Sequence, residues 1–483
     1  MKCVSTLNFI FLILIISKLS NLSPETIYEW TPTGTIEYVD AFEGRISIAL
    51  NSTDTLAVWM QDVGGGTPPY YPRYAFWNNN TNDWNTTGTI EYIHGYATDA
   101  ALNQDTTIAT WLEKGGGRMF FPRYANWSGH DLQPTGTIEY NDASQHAISV
   151  ALRETDTLVA WIEDIGSGSY YYSRYAFWDN NTNDWSPTGT IEYCRTSDRV
   201  ISVASNSIQT IATWFEDISG GGGPFYPRYA FWNGSDWSNT GTIEHYNNIG
   251  YAINVALDGS TILATWIDDA SGIGNGPFYP RYSFWNGSDW SNTGTIEHTT
   301  SWPSSISVAF KNSTPVATWF EDASGVGGGP FYPRYSIWNG SDWSNTGTID
   351  SSNSSPNFIY IDSYNPTAAI WLEDLGGGTF YPRYANLGSR SENGDGDGTT
   401  THNVSVGNGL YKIEIFGGIT FLVRIPYHHT THTVHHEGQQ LEHVHHHDDF
   451  QYVVHPNASQ AKTLTIKDGS GTTVANINVP AYE

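Results

Sequence analysis

Short runs of alternating apolar and polar residues, separated by turns rich in Gly, Asn and Ser, make up most of the chain. In "TIATWFED" (210–217) the alternate residues Ala212, Trp214 and Glu216 share one face of an extended strand, because successive side chains point to opposite sides. The segment "FWNGSDW" (231–237) places two aromatic runs around an Asn-Gly pair, which is typical of a tight β-hairpin. The pattern predicts an all-β protein built from short antiparallel strands.

A long motif repeats along the chain. "FYPRYAFWNGSDWSNTGTIEH" (225–245) returns at 278–298 with one residue changed, and four landmarks recur seven times in the same order. The glycines of "TGTI" are Gly34, Gly88, Gly136, Gly189, Gly241, Gly294 and Gly347. The "ISVAL"-like runs begin at Ile46, Thr98, Ile148, Ile201, Ile253, Ile306 and Phe358. The tryptophans of "ATWFED" are Trp59, Trp111, Trp161, Trp214, Trp266, Trp319 and Trp371. The arginines of "PRY" are Arg73, Arg123, Arg174, Arg228, Arg281, Arg334 and Arg383.

A unit of about 51 residues with four short strands is typical of one blade of a β-propeller. We therefore predict a seven-bladed β-propeller of four-stranded blades over residues 30–387. The chain enters at "WTPTGTIEY" (30–38), which predicts an outer strand, and the last unit ends after "YPRYANLG" (381–388) without one. The first strand is thus predicted to complete the seventh blade and close the ring. An open solenoid would instead need polar capping units at both ends.

The sequences at the two ends of the chain predict segments that are not part of the propeller. Residues 1–23 are predicted to be a signal peptide, because Lys2 precedes an apolar run (4–16) and then small polar residues. An uncleaved membrane anchor is the alternative, and the predicted location is secreted or cell-surface. Residues 388–402 are predicted to be a linker. Residues 403–483 contain hairpin patterns such as "LYKIEIFGGITFLVRI" and predict a small, His-rich, β-sandwich-like domain.

Composition narrows the set of partners. Acidic residues outnumber basic ones 49 to 21, and the net charge of −28 disfavours nucleic acid and anionic lipid, which both need clustered cations. Only Cys3 and Cys194 are present, so removal of a signal peptide would leave no disulfide and the fold would rest on its packed core. N-glycosylation sequons recur, for example at Asn233, but in a chain rich in Asn, Ser and Thr they do not establish glycosylation.

The repeated Trp, carboxylate and Arg have two interpretations. In the first, the Trp packs between blades and an acid such as Glu216 faces Arg228 across a hairpin in a salt bridge. In the second, these side chains line seven grooves that bind sugars, since aromatic faces stack on pyranoses and charged groups bind hydroxyls. The candidate ligand-binding residues are Trp214, Glu216, Asp217, Arg228, Trp266, Asp268, Arg281, Trp319, Glu321 and Arg334.

The inner strand "ISVA", the aromatic strand "ATWFED" and the turn "WNGSDWS" resemble those of sialidase-like and fucose-binding propeller lectins. The resemblance covers residues 30–386 and implies a propeller architecture. The sialidase Asp-box, S-x-D-x-G-x-x-W, is not matched, because "SDWSNTGT" has Ser and Asp adjacent. The resemblance therefore implies the fold and leaves the ligand open.

Near-identical blades favour multivalent binding over catalysis, because an enzyme usually needs one asymmetric site. We therefore expect a non-enzymatic secreted protein that binds glycans or a protein surface. One alternative is a structural or assembly protein of the cell envelope or of an extracellular filament, which would self-assemble. A second is a secreted hydrolase or a metal-dependent enzyme.

Eleven of the sixteen histidines lie between His402 and His455. In a strand over "LEHVHHHDD" (441–449), His443, His445 and His447 would share a face, and across an "EGQQ" turn His432, His435 or His436 would face them. Such a cluster suits Zn, Cu or Ni. A solvated loop is the alternative. "DGDG" (395–398) hints at Ca, without the ligand spacing of an EF-hand loop.

Overall fold

The structure, a computed structural model, describes residues 26–479 apart from short segments. Those segments are 32, 67, 79–82, 118, 154–155, 166–169, 180–181, 183, 194, 218–223, 246–251, 272–275, 326–328, 364–366, 377, 392–399, 407–408, 417–419, 427–432, 437–438, 441–442, 448–449, 457–461 and 468–469. The predicted signal peptide, Cys194, His432 and the "DGDG" stretch thus lie outside the described residues. The described chain consists of strands and turns and holds no helix, which confirms the predicted all-β class.

The chain divides into two compact units, Thr33–Asn386 and a second made of Met1–Pro32 with Leu387–Glu483. The strands up to the third blade are β1 (Thr26–Trp30), β2 (Gly34–Thr35), β3 (Ala41–Leu50), β4 (Thr55–Asp62), β5 (Tyr70–Asn78), β6 (Asp83–Thr89), β7 (Gly95–Leu102), β8 (Thr107–Lys114), β9 (Phe120–Ser128), β10 (Asp131–Leu132), β11 (Gly136–Thr137), β12 (Ala143–Leu152), β13 (Asp156–Asp164), β14 (Tyr171–Asp179), β15 (Asp184–Trp185) and β16 (Gly189–Glu192). Those up to the seventh blade are β17 (Thr196–Ser205), β18 (Thr210–Asp217), β19 (Phe225–Trp232), β20 (Gly241–Thr242), β21 (Ile253–Asp258), β22 (Thr261–Asp269), β23 (Phe278–Trp285), β24 (Gly294–Thr295), β25 (Ser301–Lys311), β26 (Thr314–Asp322), β27 (Phe331–Trp338), β28 (Trp343–Thr348), β29 (Ser354–Ser363), β30 (Thr367–Asp374) and β31 (Phe380–Ser391).

These strands form seven antiparallel sheets, each with an inner, a second, a third and an outer strand, so the predicted seven-bladed propeller of four-stranded blades is confirmed. The first six blades begin at β3, β7, β12, β17, β21 and β25. The seventh holds β29, β30 and β31, and its outer strand is β2, with Gly34 opposite Tyr384 and Thr35 opposite Arg383. The N-terminal strand therefore closes the ring, as predicted.

The hydrophobic core lies between neighbouring blades. The seven tryptophans of the second strands are 1% exposed or less and are the largest fully buried side chains. Five third-strand tyrosines also pack on a Trp pair of the next blade, as Tyr229 does on Trp285 and Trp290 with ring centroids 5.5 Å away. The "TGT" glycine makes room for that ring, because a Cβ on Gly241 would lie 2.4 Å from Cε1 of Tyr229. The repeated Gly and Tyr are thus one packing unit.

Inner strands are linked from blade to blade by side-chain hydrogen bonds. The Ser202 hydroxyl accepts from the backbone N–H of Val255 at 3.3 Å, and the Asn254 amide oxygen accepts from that of Val308 at 3.0 Å. These bonds satisfy donors on an otherwise unpaired strand edge. The strand pairing also corrects the predicted start of the seventh "ISVAL"-like run. Ile359, and not Phe358, lies opposite the buried Trp371.

The second unit contains two antiparallel sheets, and its β1 pairs with residues 387–391. Its remaining strands are β32 (Thr400–Val406), β33 (Gly409–Phe416), β34 (Thr420–Pro426), β35 (Thr433–His436), β36 (Gln439–Gln440), β37 (His443–His447), β38 (Phe450–Pro456), β39 (Lys462–Lys467) and β40 (Thr473–Val479). One sheet has the order β32-β33-β34-β38-β37 and the other β36-β35-β39-β40. A sandwich packing of these two sheets, and the proposed boundaries of the linker, stay predictions.

Candidate functional site

Antiparallel strands bring two kinds of connection to the same edge of every blade. The second strand ends and the third begins at this edge, and the chain leaves the outer strand for the next blade there. We call this edge the crossover face, marked in the fourth blade by Glu216, Asp217 and Glu244. The opposite edge, the turn face, carries the turns at Asn206 and Asn233.

The tryptophans proposed to stack on sugars are inaccessible. Trp214, Trp266 and Trp319 are 0% exposed, since each lies in the core between two blades. A saccharide cannot reach these rings in the folded protein. Their burial fits the packing interpretation, and an aromatic platform has to be sought on other residues.

Arg228 is the centre of a polar node that joins two blades. Its Nη1 donates to Thr242 Oγ1 at 2.6 Å, and its Nη2 donates to Thr240 Oγ1 at 2.7 Å and to Glu192 Oε1 at 2.9 Å. Thr240 also donates to Glu192, which is the last residue of the outer strand of the third blade. The node therefore binds the exit of one blade to the third and outer strands of the next.

The acid of the second strand completes this node. Trp214, rather than Glu216, is directly opposite Arg228, and Glu216 lies opposite Tyr226. The Glu216 carboxylate reaches Arg228 Nε diagonally at 3.2 Å, as a charge contact without an aligned hydrogen bond. The cross-strand salt bridge interpretation thus fits the geometry, with a register different from the expected one.

The node repeats around the ring. Second-strand acids contact the arginines in the pairs Glu113–Arg123, Glu163–Arg174, Glu216–Arg228, Asp268–Arg281, Glu321–Arg334 and Glu373–Arg383. The exits of the preceding blades contact them in the pairs Glu37–Arg73, Glu91–Arg123, Glu139–Arg174, Glu192–Arg228, Glu244–Arg281, Glu297–Arg334 and Asp350–Arg383. In the first blade Gln61 occupies the position of the acid. The arginines are therefore neutralised within the protein and are not free to bind an anion.

The other predicted acids have local partners as well. Asp217 is buried and lies 3.7 Å from Arg195 Nε. In the fifth blade the Asp268 carboxylate is 3.9 Å from Arg281, and burial, reinforced by the Glu244 carboxylate, raises the pKa of Asp268 to about 6. The next residue, Asp269, accepts the backbone N–H groups of the loop that follows the strand. These acids therefore shape the crossover face.

Sequence reasoning missed a set of exposed rings on the crossover face. The residue after each "TGTIE" motif is Tyr38, Tyr92, Tyr140, Tyr193, His245 or His298 in six of the seven positions. The four tyrosines are 77–79% exposed. Each ring meets an aromatic residue of the third strand, in the pairs Tyr38–Tyr381, Tyr92–Tyr71, Tyr140–Phe121, Tyr193–Tyr172, His245–Tyr226 and His298–Tyr279, with centroids 5.6–6.0 Å apart. The recurrence of an aromatic residue at one position of the unit was the signal that could have revealed them.

The histidines of the second unit do not pair as expected. β37, with His443, His445 and His447, pairs with β38, whereas β35, with His435 and His436, belongs to the other sheet. A register shift between His443 and His445 interrupts the regular alternation that the prediction assumed. Among the described residues no three His, Cys, Asp or Glu side chains are grouped to hold a metal ion. Binding of Zn, Cu or Ni stays a prediction.

No protein family model matches the chain, and no curated protein matches it. Among solved structures it is similar to the propeller domain of the Trilobed protease from Pyrococcus furiosus, with 10% identity, 74% of this chain and 96% of that chain covered, and a TM-score of 0.45. An acylaminoacyl peptidase from Pyrococcus horikoshii is 8% identical, with 80% of this chain and 59% of that chain covered and a TM-score of 0.43. An ulvan lyase is 8% identical, with 76% of this chain and 98% of that chain covered and a TM-score of 0.48.

The expectation that the chain is not an enzyme needs correction. It was inferred from the near-identity of the blades, yet the similar structures include a polysaccharide lyase and a peptidase. A separate finding is that no helix of the described residues is long and apolar enough to cross a membrane.

Proposed function

We propose that the protein binds saccharides multivalently, through one site at each of six blade junctions on the crossover face. The observation that carries the proposal is the exposed aromatic pair, which recurs at the same position from blade to blade. An exposed phenol ring offers a flat apolar face to the C–H groups of a pyranose and a hydroxyl to its polar edge. Packing of the propeller does not require these rings, because the tyrosines lie largely in solvent.

Polar groups suited to sugar hydroxyls belong to the same junctions. Tyr193 directly follows Glu192, which is bonded to Arg228 of the next blade. Arg228 also contacts the partly exposed Glu216. A carboxylate that is already oriented by a guanidinium accepts hydroxyl hydrogen bonds without further ordering. The exposed ring and the oriented carboxylate are therefore the two recognition elements of each site.

Charge narrows the saccharide class. The arginines at these junctions are paired with carboxylates, and the chain carries a net charge of −28. A polyanionic polysaccharide would be repelled by that field. The preferred ligands are therefore uncharged saccharides, and the six sites bind a branched or surface-attached glycan with avidity.

A glycan array with the full-length protein tests the proposal. The variant Tyr38→Ala/Tyr92→Ala/Tyr140→Ala/Tyr193→Ala removes four of the six platforms, and we expect its signal on uncharged glycans to fall at least about tenfold, since avidity depends on the number of sites. Ile208→Ala, an exposed apolar residue on the turn face, is the matched control and should bind like the wild type. Full binding by the fourfold variant, or preferential binding of sulfated glycans by the wild type, would contradict the proposal.

A further inference from the structure

The propeller has a second candidate site on its axis, away from the crossover face. The seven inner strands surround a cavity of about 510 Å³. Its lining includes Asp258, the last residue of β21, and Asn103 and Asn206, which directly follow β7 and β17, so the cavity opens on the turn face. Toward the other face a second cavity of about 30 Å³ lies beside Arg45, Phe358 and Tyr360. A cavity of about 510 Å³ accommodates a small ligand.

One position on the cavity wall breaks the sevenfold repeat. In each inner strand, one residue lies directly opposite the buried tryptophan of the second strand. The residue three positions further along the inner strand is alanine in six blades and aspartate in the seventh. The members of this collar are Ala49, Ala101, Ala151, Ala204, Ala256, Ala309 and Asp362, and all of them line the cavity. A ring of methyl groups with a single carboxylate is an asymmetric feature that blade packing does not require, since alanine suffices six times.

Asp362 has a structural bond on each oxygen and capacity for more. Oδ2 accepts from the backbone N–H of Leu50 at 2.8 Å, and Oδ1 accepts from that of Ser363 at 2.7 Å. A carboxylate has about four lone-pair sites, so roughly two remain for other donors. Within the described part of the chain Asp362 forms no ion pair. Burial raises the pKa of Asp362 to about 6, which is the behaviour of a carboxylate without a compensating cation.

The cations of the cavity are engaged elsewhere. Arg153 lies 3.4 Å from Asp156 and its guanidinium is 5.6 Å from the centre of the Phe177 ring. Arg45, which lines the smaller cavity, donates to the carbonyl of Ile148 at 3.1 Å and is attracted by Asp99. Three aspartates, Asp99, Asp258 and Asp362, and one arginine, Arg153, line the large cavity, so the charged residues of its lining are mainly acidic.

We propose that this cavity binds a primary alkylammonium group, with the nitrogen at Asp362 and the alkyl chain against the alanine collar. An ammonium has three N–H donors and a positive charge, which match the remaining lone pairs and the local field. The alanine methyl groups exclude water from the alkyl chain and strengthen the charge pair. The site faces the opposite edge from the exposed tyrosines, so it is independent of saccharide binding.

Calorimetric titration of the full-length protein with n-butylammonium tests the site, with 1-butanol as the neutral isostere and sodium as an inorganic cation. We expect one saturable site per chain for n-butylammonium and none for the other two probes. Asp362→Asn keeps an oxygen for Leu50 N–H but removes the charge, and should weaken binding at least about tenfold. Asp105→Asn, an exposed carboxylate of the turn face, is the matched control and should leave binding unchanged.

A second variant keeps the test decisive if Asp362→Asn fails to fold. Ala256→Leu fills the collar without changing charge and should block n-butylammonium. The proposal is overturned if n-butylammonium does not saturate, if 1-butanol or sodium binds equally well, or if a folded Asp362→Asn or Ala256→Leu protein binds like the wild type.

Discussion

Arg383 donates a hydrogen bond from Nη1 to the Thr35 hydroxyl at 2.6 Å, although 348 positions of the sequence separate the two residues. Nη2 of the same guanidinium donates to Thr33 at 2.7 Å. The same bonds join Arg228 to Thr242 and Thr240 within the fourth blade. Ring closure therefore uses the same Arg–Thr hydrogen bonds as the fourth blade, with the outer strand supplied by the other end of the chain.

Gly34→Ala should destabilise this closure. A Cβ on Gly34 would lie 2.3 Å from Cε1 of Tyr384, so the ring that packs on the first blade has to move. We expect a loss of about 1–3 kcal/mol in the free energy of unfolding, as for other overpacked sites. Chemical denaturation measures it, with Gly116→Ala as control because nothing lies within 4 Å of a Cβ there. Equal unfolding midpoints for both variants would show that the Tyr384 contact does not constrain the closure.

Replacement of the arginine at the centre of a polar node should lower the free energy of unfolding far more than replacement of one of its acids. Arg228→Met leaves Glu192 and Glu216 without their cation in a half-buried site, and we expect a loss of about 3 kcal/mol. Glu216→Gln should cost less than about 1 kcal/mol, since the first blade is built with Gln61 at that position. Unfolding midpoints of the two variants provide the comparison. Equal losses would place the stabilising role on Glu216 instead.

The fifth blade should show a distinct pH dependence. Burial raises the pKa of Asp268 from 3.8 to about 6, so the folded state holds this proton more tightly than the unfolded chain does. The stabilisation of the folded state by this bound proton is complete below pH 3.8 and is lost as the pH rises toward about 6. By linkage the loss amounts to about 3 kcal/mol at most.

Asp268→Asn should therefore be about as stable as the wild type near pH 4 and more stable than it at pH 7. Thermal unfolding across this range measures the difference, and the exposed Asp105→Asn controls for the loss of one negative charge. A variant that is less stable than the wild type at pH 7 would show that the Arg281 contact outweighs the burial of the charge.

Arg45 and Asp99 should be energetically coupled, because each attracts the other in the interior of the propeller. Both are buried, and Asp99 also accepts the Ser47 hydroxyl at 2.7 Å and the backbone N–H of Val150 at 2.9 Å. Arg45→Met or Asp99→Asn alone should lower the free energy of unfolding by about 3 kcal/mol or more, because each leaves a buried charge without the attraction of the other. The double variant should cost less than the sum by at least about 1 kcal/mol in a double-mutant cycle. Additive losses would mean that the two charges do not stabilise each other.

Local patterns predicted the architecture well because they depend on near neighbours. The "TGTI" and "PRY" landmarks counted seven blades, and the lone outer strand at the N-terminus predicted which end closes the ring. The exact register was harder to predict, and the seventh inner strand was placed one residue off at Phe358. Where strand alternation was read across an assumed turn, as for His435 and His443, the pairing differed, because the partner of a strand is not encoded in the strand itself.

The sequence by itself determined the class, the number of blades and the means of closure, since alternation, Asn-Gly turns and repeat length are properties of short segments. Only the tertiary structure decided which aromatic residues are accessible. Trp214 is buried because two blades close over it, whereas Tyr193 lies at the edge where the chain leaves a blade. The tertiary structure also brought the single Asp362 into a ring of alanines from six other blades, because side chains some 50 residues apart in sequence meet only when the strands surround one axis.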